Sequence, residues 1–335
     1  MSVMRDLIAE LPAQLRWAAT TSLPDVPPAA EGLVIGMGGS GFAGDVAAVF
    51  ADAQGKRVSV HKGYGVPGWA AHARPVVVAV SHSGNTEETL SGVKAATAEG
   101  LAVATTSTGG ALATVAETQA LAYLRVPVGR QPRAAAGYLA GAVLRLLEAA
   151  GVVSGTVPGL LEAADTVEVL LRDEAHQVAA RVAGGLRERI GIVYGSGTLT
   201  AAAAGRWKTQ INENGKAPSW WSVLPELDHN EIVGWTANPA LGRDAVGVVF
   251  LHDSGDHDRV ALRAVLTEQL MTGVHVAGHV ISRGEGPLAR LFSLVVVGDL
   301  VSVAVAEQAG IDPVPVVVIE RLKKLLVGEQ PRSPR

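Results

Sequence analysis

Leu33-Val-Ile-Gly-Met-Gly-Gly-Ser-Gly41 and Gly191-Ile-Val-Tyr-Gly-Ser-Gly197 follow one plan: an apolar run, a Gly/Ser turn and an Ala-rich segment behind it. Around the first copy lie the short apolar runs Gly32–Ile35, Val58–His61, Val76–Val80, Leu101–Thr106 and Ala122–Val126. Runs that are apolar throughout belong to strands buried on both faces. Their alternation with longer Ala/Leu segments predicts a parallel sheet covered by helices. The plan returns in the second half. Val246–Leu251 followed by His-Asp-Ser-Gly-Asp parallels Val76–Val80 followed by Ser-His-Ser-Gly-Asn, and Val274–Val280 stands where Leu101–Thr106 stood. The expected fold class is α/β, with two similar lobes, each a mainly parallel sheet flanked by helices. Ala134–Ala150 reads as the helix closing the first lobe, and the Gly/Pro-rich stretch 151–159 as a boundary. The division expected is residues 1–150 with a leading amphipathic helix, residues 151–327, and a disordered tail from Gly328 to Arg335. Two such lobes are expected to form a cleft at the carboxyl ends of their strands, where open α/β sheets hold ligands.

The chain has 335 residues, which fits two domains of about 150 each. With 48% hydrophobic and 18% charged residues it can bury a sizeable core, which excludes global disorder. A net charge of −4 gives no basic footprint for nucleic acid. The absence of cysteine excludes a disulfide scaffold, a thiolate nucleophile and cysteine-ligated metals, and fits a reducing cytosol. Asp6 and Glu10 interrupt the N-terminal apolar pattern, which argues against a signal peptide. The most apolar stretches read as too short or too charged to span a bilayer: one meets Arg145, another contains Asp299.

Gly36-Met-Gly-Gly-Ser-Gly41 matches the dinucleotide fingerprint G-x-G-x-x-G. That reading requires a carboxylate near the end of the next strand for the ribose hydroxyls, and Val58-Ser-Val-His-Lys62 has none. NAD is disfavoured, Lys62 keeps NADP in play, and a tight turn without ligand is the plainer alternative. Ser81-His-Ser-Gly-Asn-Thr86 carries more information. Three hydroxyls, an amide and a glycine open a helix at Glu87, where free backbone N–H groups favour a phosphate. Simple capping accounts for Asn85, Thr86 and Glu87 but leaves Ser81, Ser83 and Gly84 unexplained. Neither Ser40 nor Ser83 lies in the G-x-S-x-G elbow of serine hydrolases, because Phe42 and Asn85 replace the last glycine.

The densest polar segment runs from Arg206 to Trp235 and holds two of the seven lysines and the Asp228-His-Asn-Glu231 cluster. A helix from Thr200 to Asn214 would turn Trp207 and Ile211 inward and end with Glu213 near the cleft. Such a set suits proton transfer beside a sugar carbonyl: a glutamate takes the acidic C–H, a histidine and a lysine handle the ring oxygen, and an arginine steadies the enediolate. Glu213, His229 and Arg133 are the candidates, although Arg133 read alone is an ordinary helix-start surface arginine. His275 and His279 have helical metal spacing but fall on a strand and lack the glutamate of HExxH, and Asp253–Asp258 lacks calcium-loop spacing.

Gly36–Asp45, Ser81–Thr86, Gln131–Gly137 and Arg206–Trp235 together resemble the bifunctional phosphoglucose/phosphomannose isomerases, among the sugar-isomerase (SIS) domain proteins. The resemblance covers about residues 30 to 327. GMGGSG and SxSGNT mark only a SIS domain, whereas RWKTQxNEN with HNEIVGW is specific to this family. It implies two SIS lobes, a cytoplasmic homodimer with active sites near its interface, and interconversion of glucose 6-phosphate and mannose 6-phosphate with fructose 6-phosphate through a cis-enediol. By the same resemblance Ser40, Ser81, Ser83 and Thr86 hold the phosphate and Gly39 contacts substrate. Arg133 stabilises the enediolate and Glu213 moves the proton between C1 and C2. His229 of the neighbouring subunit opens the ring with Lys323, or with Lys324 if the register slips by one. No metal or organic cofactor is implied, nor any nucleic acid or membrane partner. The chain departs from the family at Asp228, usually Asn, at Val314, usually a hydroxyl residue, and at His82, usually another aromatic; these bear on the relative rates with glucose and mannose phosphates. A non-catalytic phosphosugar sensor is the competing class. Such proteins usually add a basic DNA-binding segment and can lose the base, and neither pattern is expected here. An isomerase for another sugar phosphate is the nearer alternative.

Overall fold

The computed structural model describes residues 3–129 and 131–328. Its first sheet contains β1 (Gly32–Ile35), β2 (Val58–His61), β3 (Val76–Val80), β4 (Val103–Ser107) and β5 (Ala122–Arg125), all parallel in the order β2-β1-β3-β4-β5. The second contains β6 (Ile190–Ser196), β7 (Ser219–Leu224), β8 (Val246–His252) and β9 (Val276–Ile281), parallel in the order β7-β6-β8-β9. Strand for strand this is the first order without its fifth member, so the internal repeat read from sequence is a repeat of topology. Two strands start two residues later than the sequence pattern suggests, at Val103 and Val276.

Valine explains why β3 is a strand: its branched Cβ suits extended backbone, and every residue of the run is buried, as helices on both faces require. The leading segment is two helices rather than one, Val3–Ala9 and Leu11–Thr20, because Pro12 lacks an N–H and starts a new helix instead of continuing the old one. Within the stretch 151–159, helix Thr156–Asp173 begins and then packs on both Leu11–Thr20 and Pro287–Gln308. Gly328 closes helix Val317–Gly328, and the rest of the expected tail lies outside the described residues. Helix Pro287–Gln308 overturns one expectation. At 22 residues it has the length and apolarity to cross a membrane, yet 89% of its most apolar window is buried as the central helix of the core. Its mid-helix charge, Asp299, is matched by Arg206 through two bonds of 3.0 and 2.6 Å. Burial still pushes that carboxyl's pKa up, with Arg206 opposing.

Helix Gly38–Asp52 follows β1 and helix Gly197–Glu213 follows β6, and the two run antiparallel. Arg206 lies over the Phe42 ring at 4.7 Å, while Asp52 at the far end of the first helix shares a crevice with Gly197 and Thr198 at the start of the second. The carboxyl end of the first sheet therefore meets the end of the second lobe's helix. The last turn of that helix lies at the amino end of the second sheet, where Asn212 exchanges both side-chain bonds with the backbone of Ser219. The cleft is thus not formed from two carboxyl ends, as expected. The antiparallel helices invert one lobe relative to the other.

Candidate active site

The loop after β3 is held in shape by its own polar groups. Ser81 Oγ accepts from Gly84 N at 3.0 Å and lies 2.8 Å from Thr86 Oγ1, and Ser83 Oγ accepts from Asn85 N at 3.2 Å. Gly84 has φ +72° and is packed so tightly that a Cβ would stand 1.8 Å from Gly109 O, so no other residue fits. Helix Glu87–Ala98 starts behind this loop with Thr86 at its N-cap position, yet neither Asn85 nor Thr86 caps it with its side chain: Asn85 Oδ1 accepts from Ala111 N and the Thr86 hydroxyl turns to Ser81. Capping therefore does not explain the residues chosen here. The loop joins the Gly-rich turn through Ser40, whose Oγ accepts from His82 N at 3.2 Å. Lys62 does not wait for a 2′-phosphate, since its Nζ sits on both oxygens of Asp45 at 2.8 and 2.6 Å.

Gly39 brings the third piece into place. A Cβ on it would lie 3.2 Å from Pro132 O and 3.7 Å from the Arg133 Cα. Arg133 is not a surface residue; it is 3% exposed. Its Nε donates to Asn214 Oδ1 at 2.5 Å, its Nη2 to Pro313 O at 2.9 Å and Val314 O at 2.6 Å, and its Nη1 faces Glu213 Oε1 at 3.5 Å. A guanidinium has five N–H groups, so one Nη1 hydrogen remains for a ligand. Burial lowers the Arg133 pKa, opposed by the Glu213 charge. Glu213, the last residue of its helix, keeps 30% of its side chain exposed beside this buried cation.

The structure thus gathers Gly39, Ser40, Ser81, Ser83, Thr86, Arg133 and Glu213 around the carboxyl end of the first sheet. It does not bring His229 or Lys323 to them within one chain. Ile211 and Trp207 of the Glu213 helix pack with Val193 and Val249 on one face of the second sheet, whereas Leu227, two residues before His229, packs with Tyr194 and Phe250 on the other. The sheet stands between the two groups. Asp228 anchors the His229 turn by accepting from Arg263 at 2.9 Å and Thr267 at 2.6 Å, and His229 itself is exposed. Lys323 and Lys324 lie on helix Val317–Gly328, where Val317–Leu326 are exposed throughout.

Three contributors escaped the sequence reading. Gln14, fully buried, donates to Ala134 O at 2.7 Å and accepts from Gly137 N at 3.0 Å, fixing the backbone around Arg133. Asn214 passes the Arg133 contact on to Gln210 and Ser302. Lys216 binds the carbonyl of Glu213. A buried amide reads in sequence like any helix-surface glutamine, and only the pairing across 120 residues distinguishes it.

A carboxylate beside a buried guanidinium, close to a loop of hydroxyls, can bind an anionic group and move a proton at a neighbouring carbon. Comparisons with known proteins fit that chemistry. Residues 175–326 match the family model described as the bacterial phospho-glucose isomerase C-terminal SIS domain. The bifunctional phosphoglucose/phosphomannose isomerase of Caldicellulosiruptor bescii is 38% identical over 306 residues, 88% of each chain. That of Aquifex aeolicus is 37% identical over 301 residues, 88% of this chain and 90% of its own. Among solved structures, a hypothetical protein from Thermus thermophilus shares the fold, with TM-score 0.72 at 15% identity over 97% of this chain and 90% of that one.

Proposed function

The chain belongs to the bifunctional phosphoglucose/phosphomannose isomerases, and we propose on that premise that it interconverts glucose 6-phosphate and mannose 6-phosphate with fructose 6-phosphate, with Glu213 as the base. The observation that carries the reading is the meeting of the Ser40 and Ser81–Thr86 hydroxyls with the Arg133–Glu213 pair across the two lobes. In this reading the loop of lobe one (1–150) holds the phosphate and the helix of lobe two (151–327) delivers the carboxylate. Glu213 takes the C2 proton of the open-chain aldose as the electron pair moves to the C1 oxygen, giving a cis-enediolate. The remaining Nη1 hydrogen of Arg133 faces the oxygen that gains charge. Glu213 returns the proton to C1, the C2 hydroxyl passes its proton to the C1 oxygen, and the ketose results.

His229 and Lys323 open and close the ring, and they reach the site from a second copy of the chain. Two observations support a homodimer: the sheet that separates Glu213 from His229 within one chain, and the exposed apolar side chains Val318, Leu322, Leu325 and Leu326 on the helix that carries Lys323. A cytoplasmic location fits the phosphorylated substrates. Mixing Glu213→Gln with His229→Ala tests the sharing. Activity from two inactive variants is expected, because a heterodimer pairs one intact Glu213 with one intact His229, and inactivity at every mixing ratio rejects the shared site. For the reaction, a coupled assay starting from fructose 6-phosphate scores glucose and mannose phosphates separately. Formation of both is expected. Binding without turnover favours the sensor, and turnover only of another phosphosugar redirects the substrate.

A further inference from the structure

We propose that Lys216 is a positioning residue of this site: its ammonium fastens the end of the Glu213 helix to the Pro313–Pro315 loop, and so holds Glu213 and Arg133 at their working separation. The inference rests on the reading of Glu213 as the base. Glu213 ends its helix, so its carbonyl has no partner further along that helix. Lys216 Nζ takes that place at 2.5 Å and also donates to Pro313 O at 3.2 Å and Pro315 O at 2.6 Å, which engages all three N–H groups of an ammonium. Pro313 O accepts in addition from Arg133, whose second Nη2 bond goes to Val314 O. One carbonyl therefore joins the two cations. The loop grips the guanidinium on one side and the base's helix on the other.

Electrostatics and backbone agree with this role. Three carbonyl oxygens, that of Glu213 at a helix C-terminus, favour a cation, although burial and the neighbouring Arg133 charge press the lysine's pKa below its usual value. Lys216 also sits at φ +52°, in the left-handed region where glycine is the comfortable residue. Stopping the helix does not require a lysine there, so the position uses its side chain. Helix Val317–Gly328 starts two residues after Pro315. The same clamp thus sets where the helix bearing Lys323 leaves the chain.

The test compares the parent, Lys216→Gly, Lys216→Arg and Glu213→Gln in the fructose 6-phosphate assay, with the folded fraction of each followed by circular dichroism. Lys216→Gly relieves the backbone while deleting the ammonium. A lost placement of this kind costs on the order of 10²-fold in kcat, with KM close to the parent's. Lys216→Arg, or n-butylammonium added to the glycine variant, should recover much of the loss, which a general loss of packing would not permit. Undiminished kcat in Lys216→Gly overturns the proposal. So does a loss that tracks the unfolded fraction and yields neither to arginine nor to the amine. The premise fails separately: an inactive parent or an active Glu213→Gln removes the base itself, whereas an active parent, a dead Glu213→Gln and an unaffected Lys216→Gly remove only the clamp.

Discussion

The two lobes share a strand order but do opposite things at the carboxyl ends of their sheets. In lobe one the loop after β3 is Ser81-His-Ser-Gly-Asn-Thr86, neutral at every position when His82 is uncharged, and burial holds the His82 pKa down. In lobe two the loop after β8 is Asp253-Ser-Gly-Asp256, and it contains its own anions. Asp256 accepts from Ser196 Oγ and from Asp253 N at 3.0 Å, while Asp253 accepts from Ser282 Oγ at 2.6 Å and faces Arg290 at 3.6 Å. The crevice beside it, about 310 Å³, holds the counterparts of the first site: Asp52 ends the lobe-one helix as Glu213 ends the lobe-two helix, and Arg290 stands near the start of the helix after the last strand, as Arg133 does. The donors that would greet a phosphate are already occupied by carboxylates. The duplicated fold thus carries carboxylates in the loop of one lobe and hydroxyls in that of the other.

The comparison breaks most easily at the two helix ends. Glu213→Gln should lower kcat by about 10²–10⁴-fold, the range of a positioned general base, while Asp52→Asn should leave it unchanged. Parallel loss in both would mean that the lobes share the work. The join between them comes next. Arg206→Met leaves Asp299 buried without its cation, removes the bond to Arg133 O and takes the charge off Phe42; roughly 3–5 kcal/mol of stability should go, read by chemical denaturation. Ser83→Ala with Thr86→Ala should raise KM for fructose 6-phosphate at least about tenfold, since a hydrogen bond to a charged group contributes roughly 1.5–3 kcal/mol. Ser254→Ala, the lobe-two counterpart of Ser83, should not move KM. The smallest effect is a pH slope. Burial, the largest influence, raises the Asp256 pKa in the folded chain, so its stability contribution is full below the unfolded carboxylate value near pH 4 and fades as pH climbs through the higher folded value. Asp256→Asn should flatten that decline in denaturation midpoints measured from about pH 4 upward.

Sequence showed the repeat, most strand positions and the polar groups of lobe one, because strand patterning and Gly/Ser turns are local signals. Gly84 is the clearest case: both the turn and the missing side chain are written in one residue. What sequence hid was relational. It suggested a cleft between two carboxyl ends, whereas the antiparallel packing of helices Gly38–Asp52 and Gly197–Glu213 turns the second lobe over and presents Glu213 from its amino end. It offered Arg133 as a candidate but, read alone, as an ordinary surface arginine, because its partners, Asn214, Pro313 and Val314, lie 81 to 181 positions away. Gln14 and Lys216 were invisible for the same reason: each binds backbone carbonyls, which carry no sequence signature.

The central claim is that one carboxylate, Glu213, moves a proton between adjacent carbons of a sugar phosphate held by lobe one. Isomerisation in deuterium oxide measures that step directly. With fructose 6-phosphate as substrate, the parent should place solvent deuterium at C2 of the aldose product, and Glu213→Gln should lose deuterium incorporation and isomerisation together. Deuterium entering the product at near-parental rate with Glu213→Gln would contradict the account.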